Sequence, residues 1–167
     1  MPVNSYIKTL DEHTTYTLQL VKSCPPTLQA DNINDTWSIL QILEHICMTE
    51  KLICMLLSKP ADKTAETNEL FGNDKIKKMV VENRGYKVKA PESLIPKGDI
   101  KDVKEFEKVF LQQRDLLKQE IQTGKITFDN RIHKHPVLGE MTIIDWLNFL
   151  IHHTQRHLEQ IKDSQKN

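Results

Sequence analysis

The sequence predicts an all-α fold: a four-helix bundle in a single domain over residues 1–167, with a long connection between its second and third helices. Three observations predict it. Glycine is scarce, at five in the chain. Apolar residues recur at the 3.6-residue helical period in four segments, and no long stretch alternates apolar with polar residues. A chain of 167 residues can bury one real core but is short for two.

The first segment begins near Ser5 and carries Ile7, Leu10, Thr14, Leu18 and Val21 on one face. Cys24-Pro25-Pro26 stops it, because proline lacks the amide donor and clashes with the preceding turn. The second starts after a capping residue, Asp35 or Thr36. It presents Ile42, His45, Ile46, Thr49, Leu52, Ile53 and Leu56 on one side before Lys59-Pro60 ends it. The third runs from about Asp102 to Thr123, with Val103, Phe106, Phe110, Leu117 and Ile121 as its stripe and Gly124 as its C-cap. The fourth opens at Met141 or Thr142 and carries Ile143, Trp146, Leu150, His153, His157 and Ile161. None of these helices can bury its stripe alone, and packing four together solves the problem for each.

Pro60 to Lys101, about forty residues, is long for a bundle loop, and loops of that length usually carry function. A short helix is expected over Asp74 to Asn83, then extended chain around Val88, Pro91 and Pro96. Residues 75–89 hold six basic side chains (Lys75, Lys77, Lys78, Arg84, Lys87, Lys89) against one acid, Glu82. This run is either a solvated basic surface or a rim that attracts anions to the mouth of the bundle.

Lys plus Arg and Asp plus Glu both total 23, so the formal charge is zero and no global field grips nucleic acid or an anionic membrane. The longest apolar run is Leu52 to Leu57, far short of a membrane span, and the first twenty residues lack a hydrophobic targeting stretch. A cytoplasmic protein with no nucleic-acid or membrane partner is expected. Of the three cysteines, Cys47 and Cys54 lie seven apart on one helix. That spacing sets them roughly 10 Å from each other, beyond disulfide reach. With Cys24 left over, the set fits a reducing compartment.

Seven histidines remain. His153 and His157, four apart, stack on one face of the fourth helix, and His45 holds the inward position on the second. Three neutral imidazoles entering one core from two helices would make a metal site with an open coordination position, the pattern of catalytic sites more than structural ones. The motif His153-Thr154-Gln155-Arg156-His157 lacks the Glu after the first His that zinc proteases use as general base, which excludes that class. His152 points about 100° away from His153 and is expected at the surface or behind the ligands. His133 and His135 precede the fourth helix, and His13 edges the first. Glu44 and Glu50 are the nearest candidates for a base or for a partner that orients a histidine.

The stretch His135-Pro136-Val137-Leu138-Gly139-Glu140-Met141-Thr142 and the helix Trp146-Leu147-x-Phe149-x-x-x-His153-x-x-Arg156-His157-x-x-Gln160-Ile161 resemble the DinB/YfiT-like family of metal-dependent enzymes. His45 in Leu43-Glu44-His45-Ile46 matches that family's first ligand. The resemblance implies a four-helix bundle, often dimeric, that binds a divalent metal through His45, His153 and His157; three imidazoles accept zinc, nickel, iron and others by availability, and zinc or nickel is expected. It implies metal-dependent hydrolysis or transfer of a low-molecular-weight thiol to a small electrophile. Arg156 and Gln160 match positions often filled the same way, and each also reads as structural: a helix-end ion pair and an amide bonded to a loop. Two readings result: a hydrolase or thiol S-transferase, or a non-catalytic interaction module that binds metal structurally or incidentally. Because only neutral imidazole ligates and free histidine titrates near 6.5, metal affinity is expected to fall below about pH 6.

Overall fold

The computed structural model describes residues 1–31, 37–83, 85 and 87–166. Two sequence expectations, the Asp35 or Thr36 cap and Arg84 of the basic run, lie outside the described residues. Within them, local sequence sets the helix ends. Helix α1 (Val3–Lys22) follows Pro2 and stops before Pro25; α2 (Pro26–Gln29) is a single turn with proline at its first position. Helix α3 (Ile39–Leu57) starts at a capping box in which the Ser38 hydroxyl accepts from the Gln41 amide and Gln41 Oε1 accepts from the Ser38 amide.

The connection forms a short helix α4 (Asn73–Lys77) that runs into a π-turn (Lys78–Glu82), and later a 3₁₀ turn (Glu92–Leu94). Helix α5 (Val103–Gln122) is capped by Asp102, whose carboxylate accepts from the Glu105 amide at 2.7 Å. Helix α6 (Ile143–Gln165) opens on a second capping box, Thr142 with Asp145.

The protein is mostly helical, but the all-α expectation misses a small antiparallel sheet in the order β1 (Lys63–Thr64), β2 (Arg131–His135), β3 (Gly139–Thr142). His135 pairs with Gly139 across the hairpin, and Gly139 takes φ 83°, which the turn needs. These strands escape a periodicity search because none exceeds five residues and β2, Arg-Ile-His-Lys-His, is almost wholly polar.

The four long helices pack α3 against α5 and α6, and α1 against α5 and α6. Their apolar stripes form two clusters. One gathers Tyr6, Leu10, Ile53, Leu57, Leu117, Ile121, Leu147 and Leu150; the other gathers Val21, Ile39, Ile42, Ile46, Phe106, Phe110, Leu158 and Ile161. α1 and α6 enter the first cluster with their N-terminal halves, α3 and α5 with their C-terminal halves, so the two pairs run in opposite directions.

Between the clusters lies a buried polar layer with one residue from each long helix. The Arg114 guanidinium donates to both oxygens of Glu50, at 2.8 Å from Nε, and to the Thr14 hydroxyl at 3.3 Å, while Thr154 donates to Glu50 at 2.8 Å. Arg114 and Glu50 are each 1% exposed. Desolvating such a pair is costly, so its retention depends on the complete set of hydrogen bonds that surrounds it.

Two carboxylates pin the long connection to the helices beneath it. Asp145 on α6 accepts from the amides of Leu70, Phe71 and Gly72 at 2.9–3.3 Å. Glu44 on α3 accepts from Lys97, Gly98 and Asp99 at 2.7–3.0 Å. Gly98, at φ 88°, makes the bend that turns three successive amides toward one carboxylate. Lys75, Lys77, Lys78, Lys87 and Lys89 of the basic run are all exposed. Among the described residues, no helix is long and apolar enough to cross a membrane.

Candidate metal centre

Ile39, Ile42, Leu43 and Ile46 of α3 pack into the core, and His45 among them is carried to the buried side, where it is 4% exposed. α6 brings His153 and His157 to the same point from the opposite wall. The three residues each offer one ring nitrogen, and those atoms lie within 4.8 Å of one another. His153 Nε2 is 3.3 Å from His45 Nε2 and 3.2 Å from His157 Nε2.

The outer nitrogens explain which atoms converge. His45 Nδ1 donates to the Leu94 carbonyl at 2.8 Å, and His157 Nδ1 donates to Gln160 Oε1 at 3.0 Å. Each of these rings therefore carries its proton on Nδ1 and turns an Nε2 lone pair inward. A single proton on His153 Nε2 could satisfy one neighbour and not both. A cation at the centre satisfies all three. Zinc bonds imidazole nitrogen at about 2.0–2.1 Å, which in a tetrahedron separates ligand nitrogens by about 3.3 Å, and two edges of the triangle already have that length. The donor set fits a divalent metal, and the three histidines could hold one.

The walls are aromatic. The Trp37 ring lies 4.9 Å from that of His45, and Phe149 lies 5.5 Å from His153. This burial depresses all three histidine pKa values. His157 falls to about 3, lowered further by a charge on His45 although its bond to Gln160 opposes the shift. His153 sits well below 6.5, pushed first by burial and then by His157, His45, Arg156 and His135. His45 is lowered by burial against the opposing Leu94 bond. The imidazoles are neutral at pH 7, the form that can ligate.

Burial also holds His13 at about 3 and His135 and His152 at about 4. These groups are neutral when folded and take up protons near 6.5 when unfolded, so the unfolded state binds more protons in acid. Their stabilisation is whole above pH 6.5 and is lost as the pH falls toward about 4, and toward about 3 for His13, on the order of 1.4 kcal/mol per pH unit for the most deeply buried histidines, His13 and His157. The metal-free protein is expected to be at least about 2 kcal/mol less stable to urea at pH 5 than at pH 7. Equal stabilities would mean that the folded histidines protonate freely.

The other sequence candidates lie elsewhere. His152 is buried, not at the surface, and its Nε2 meets Asn73 Oδ1 at 2.8 Å, tying α4 to α6. His135 Nδ1 accepts from the amides of Val137 and Leu138, and so shapes the hairpin turn. The His133 carbonyl accepts from the Trp146 indole, and His13 Nε2 lies 3.1 Å from Gln155 Oε1. Glu50 pairs with Arg114 and Glu44 binds loop amides, and among the described residues neither carboxylate hydrogen-bonds a histidine of the cluster. Arg156 donates to the Val80 carbonyl of the π-turn. Gln160 orients His157 rather than a loop, and the spacing of three between them could have signalled it. No sequence signal marked the Leu94 carbonyl.

Comparison with known proteins places the chain in a family. The sequence profile described as the DinB superfamily matches residues 9–161. The chain belongs to the DinB superfamily. It is 29% identical over 129 residues to YuaE of Bacillus subtilis (strain 168), an uncharacterized protein, with 77% of each chain covered. No solved structure matches it. In this DinB protein the three histidines stand on α3 and α6 inside the matched region, and so do the Leu94 and Gln160 groups that orient two of them.

Proposed function

We propose that this DinB protein is a single-domain, four-helix-bundle metalloenzyme that holds one divalent ion, zinc or nickel, on His45, His153 and His157. It activates water or a low-molecular-weight thiol toward a small electrophile, as a hydrolase or a thiol S-transferase. The observation that carries this reading is the convergence of three imidazole Nε2 atoms, two of them locked in the ligating tautomer by carbonyl oxygens. A bound ion there supplies an open coordination position at which water or a thiol gives up its proton near neutral pH. The chain's own residues do the rest. Leu94 and Gln160 orient two ligands, and Trp37 and Phe149 shield the site from bulk water.

The thiol, if used, comes from solution. Burial raises the pKa of Cys24 and Cys47 and pushes Cys54 up to about 12, so none is a thiolate at pH 7. A cytoplasmic homodimer with no nucleic-acid partner completes the proposal, and a monomer by light scattering at micromolar concentration would remove the dimer.

The test is elemental analysis of protein purified without a histidine tag, followed by assays of metal-loaded and metal-free forms. Cellular thiols with a general electrophile form one assay set, and amides and esters with water the other. One equivalent of metal and turnover that depends on it are expected. Stoichiometric metal without turnover of either set would favour a non-catalytic interaction module, and equal rates with and without metal would refute activation by the ion.

A further inference from the structure

Two buried side-chain atoms beside the cluster, His153 Nδ1 and Thr49 Oγ1, have no hydrogen-bond partner among the described residues. Thr49 is 5% exposed and stands one helical turn beyond His45 on α3. Because α3 and α6 run in opposite directions, contacts on either side bracket their register. The rings of His45 and His157 are 4.9 Å apart at one level, and Thr154 donates to Glu50 at 2.8 Å at the other. By that register Thr49, between these levels on α3, falls at the level of His153 on α6.

His153 is also the odd member of the triad. His45 and His157 each give their Nδ1 proton to a carbonyl oxygen, which fixes the tautomer and the ring. To ligate as they do, His153 needs its proton on Nδ1, which leaves an Nε2 lone pair facing its neighbours. A ring N–H buried without an acceptor is costly, and metal-ligating histidines almost always donate that proton onward. The Thr49 hydroxyl lies beyond direct hydrogen-bond distance of His153 Nδ1, and a buried hydroxyl without a partner is costly in its turn. One water accepting from the first and donating to the second satisfies both.

We propose that Thr49 is the positioning residue of His153, acting through one buried water that takes the Nδ1 proton and holds the ring with Nε2 toward His45 and His157. This inference rests on the metal reading for its purpose, but its test separates the two. Thr49→Val keeps the side-chain shape and removes the hydroxyl, and Thr49→Ser keeps the hydroxyl. Zinc affinity of the full chain would be read by competition with a chromophoric chelator, and histidine tautomers of the metal-free protein from long-range proton–nitrogen NMR spectra.

Thr49→Val is expected to weaken zinc binding by about 10–100-fold and to lose the preference of His153 for the Nδ1–H tautomer, with Thr49→Ser close to wild type in both. Wild-type zinc affinity and an unchanged His153 tautomer in Thr49→Val would overturn the proposal. A rise in its stability to urea would then mark the hydroxyl as an uncompensated buried group. If Thr49→Val does not fold, Thr49→Ala carries the same test. If the wild-type protein binds no zinc, the metal reading fails, and the tautomer spectra alone decide whether Thr49 orients His153.

Discussion

Replacing Arg114 by alanine is expected to destabilise the protein by about 3–5 kcal/mol, which approaches the whole stability of a marginal domain. The guanidinium is buried at the middle of the core, donates to both oxygens of Glu50 and to Thr14, and lies 4.6 Å from the centre of the Phe110 ring. Its removal leaves the buried Glu50 carboxylate with the Thr154 hydroxyl as its one remaining hydrogen-bond partner among the described residues. The double variant Arg114→Met with Glu50→Leu removes both charges and keeps most of the volume. It is expected to recover most of that loss, because the penalty of the single variant comes from the stranded charge rather than from the pair itself. Thr154 then loses its acceptor, which limits the recovery. Urea unfolding of the three proteins checks this. A double variant no more stable than Arg114→Ala would show that the ion pair, and not merely its completeness, holds the four helices together.

Replacing His153 by alanine is expected to abolish stoichiometric metal and leave the helices intact. His153 Nε2 is the shared vertex of the cluster, 3.3 Å from one partner and 3.2 Å from the other, so its loss leaves two ligands on different helices. The fold has independent support from two apolar clusters and the polar layer between them. Elemental analysis and circular dichroism of His153→Ala, and of the wild type after chelation, measure both halves of the prediction. Loss of helicity on chelation would make the metal structural.

The helices were legible because their signals are local. Glycine scarcity, the 3.6-residue stripes and the proline stops at Pro25 and Pro60 placed α1, α3, α5 and α6. Helix α3 starts at the Ser38–Gln41 capping box, a local signal two or three residues beyond the Thr36 or Asp35 expectation. The sheet was invisible because strands of two to five residues have no period to detect, and pairing between residues 63–64 and 131–132 is a long-range event.

For the site, the sequence alone determined that His45, His153 and His157 face inward, since residues four apart share a helix face and apolar neighbours reveal which face is buried. The resemblance in the motifs around them carried the family. Tertiary structure decided everything that depends on groups distant in the chain. It turned Glu44 from a candidate base into an anchor for the amides of residues 97–99, and Glu50 into the partner of Arg114. It brought the Leu94 carbonyl to His45 across the long connection. A side chain's periodicity tells which way it points, and only packing tells what it meets. The acceptor that fixes a histidine's tautomer can be a backbone carbonyl, which every residue carries and no sequence pattern singles out.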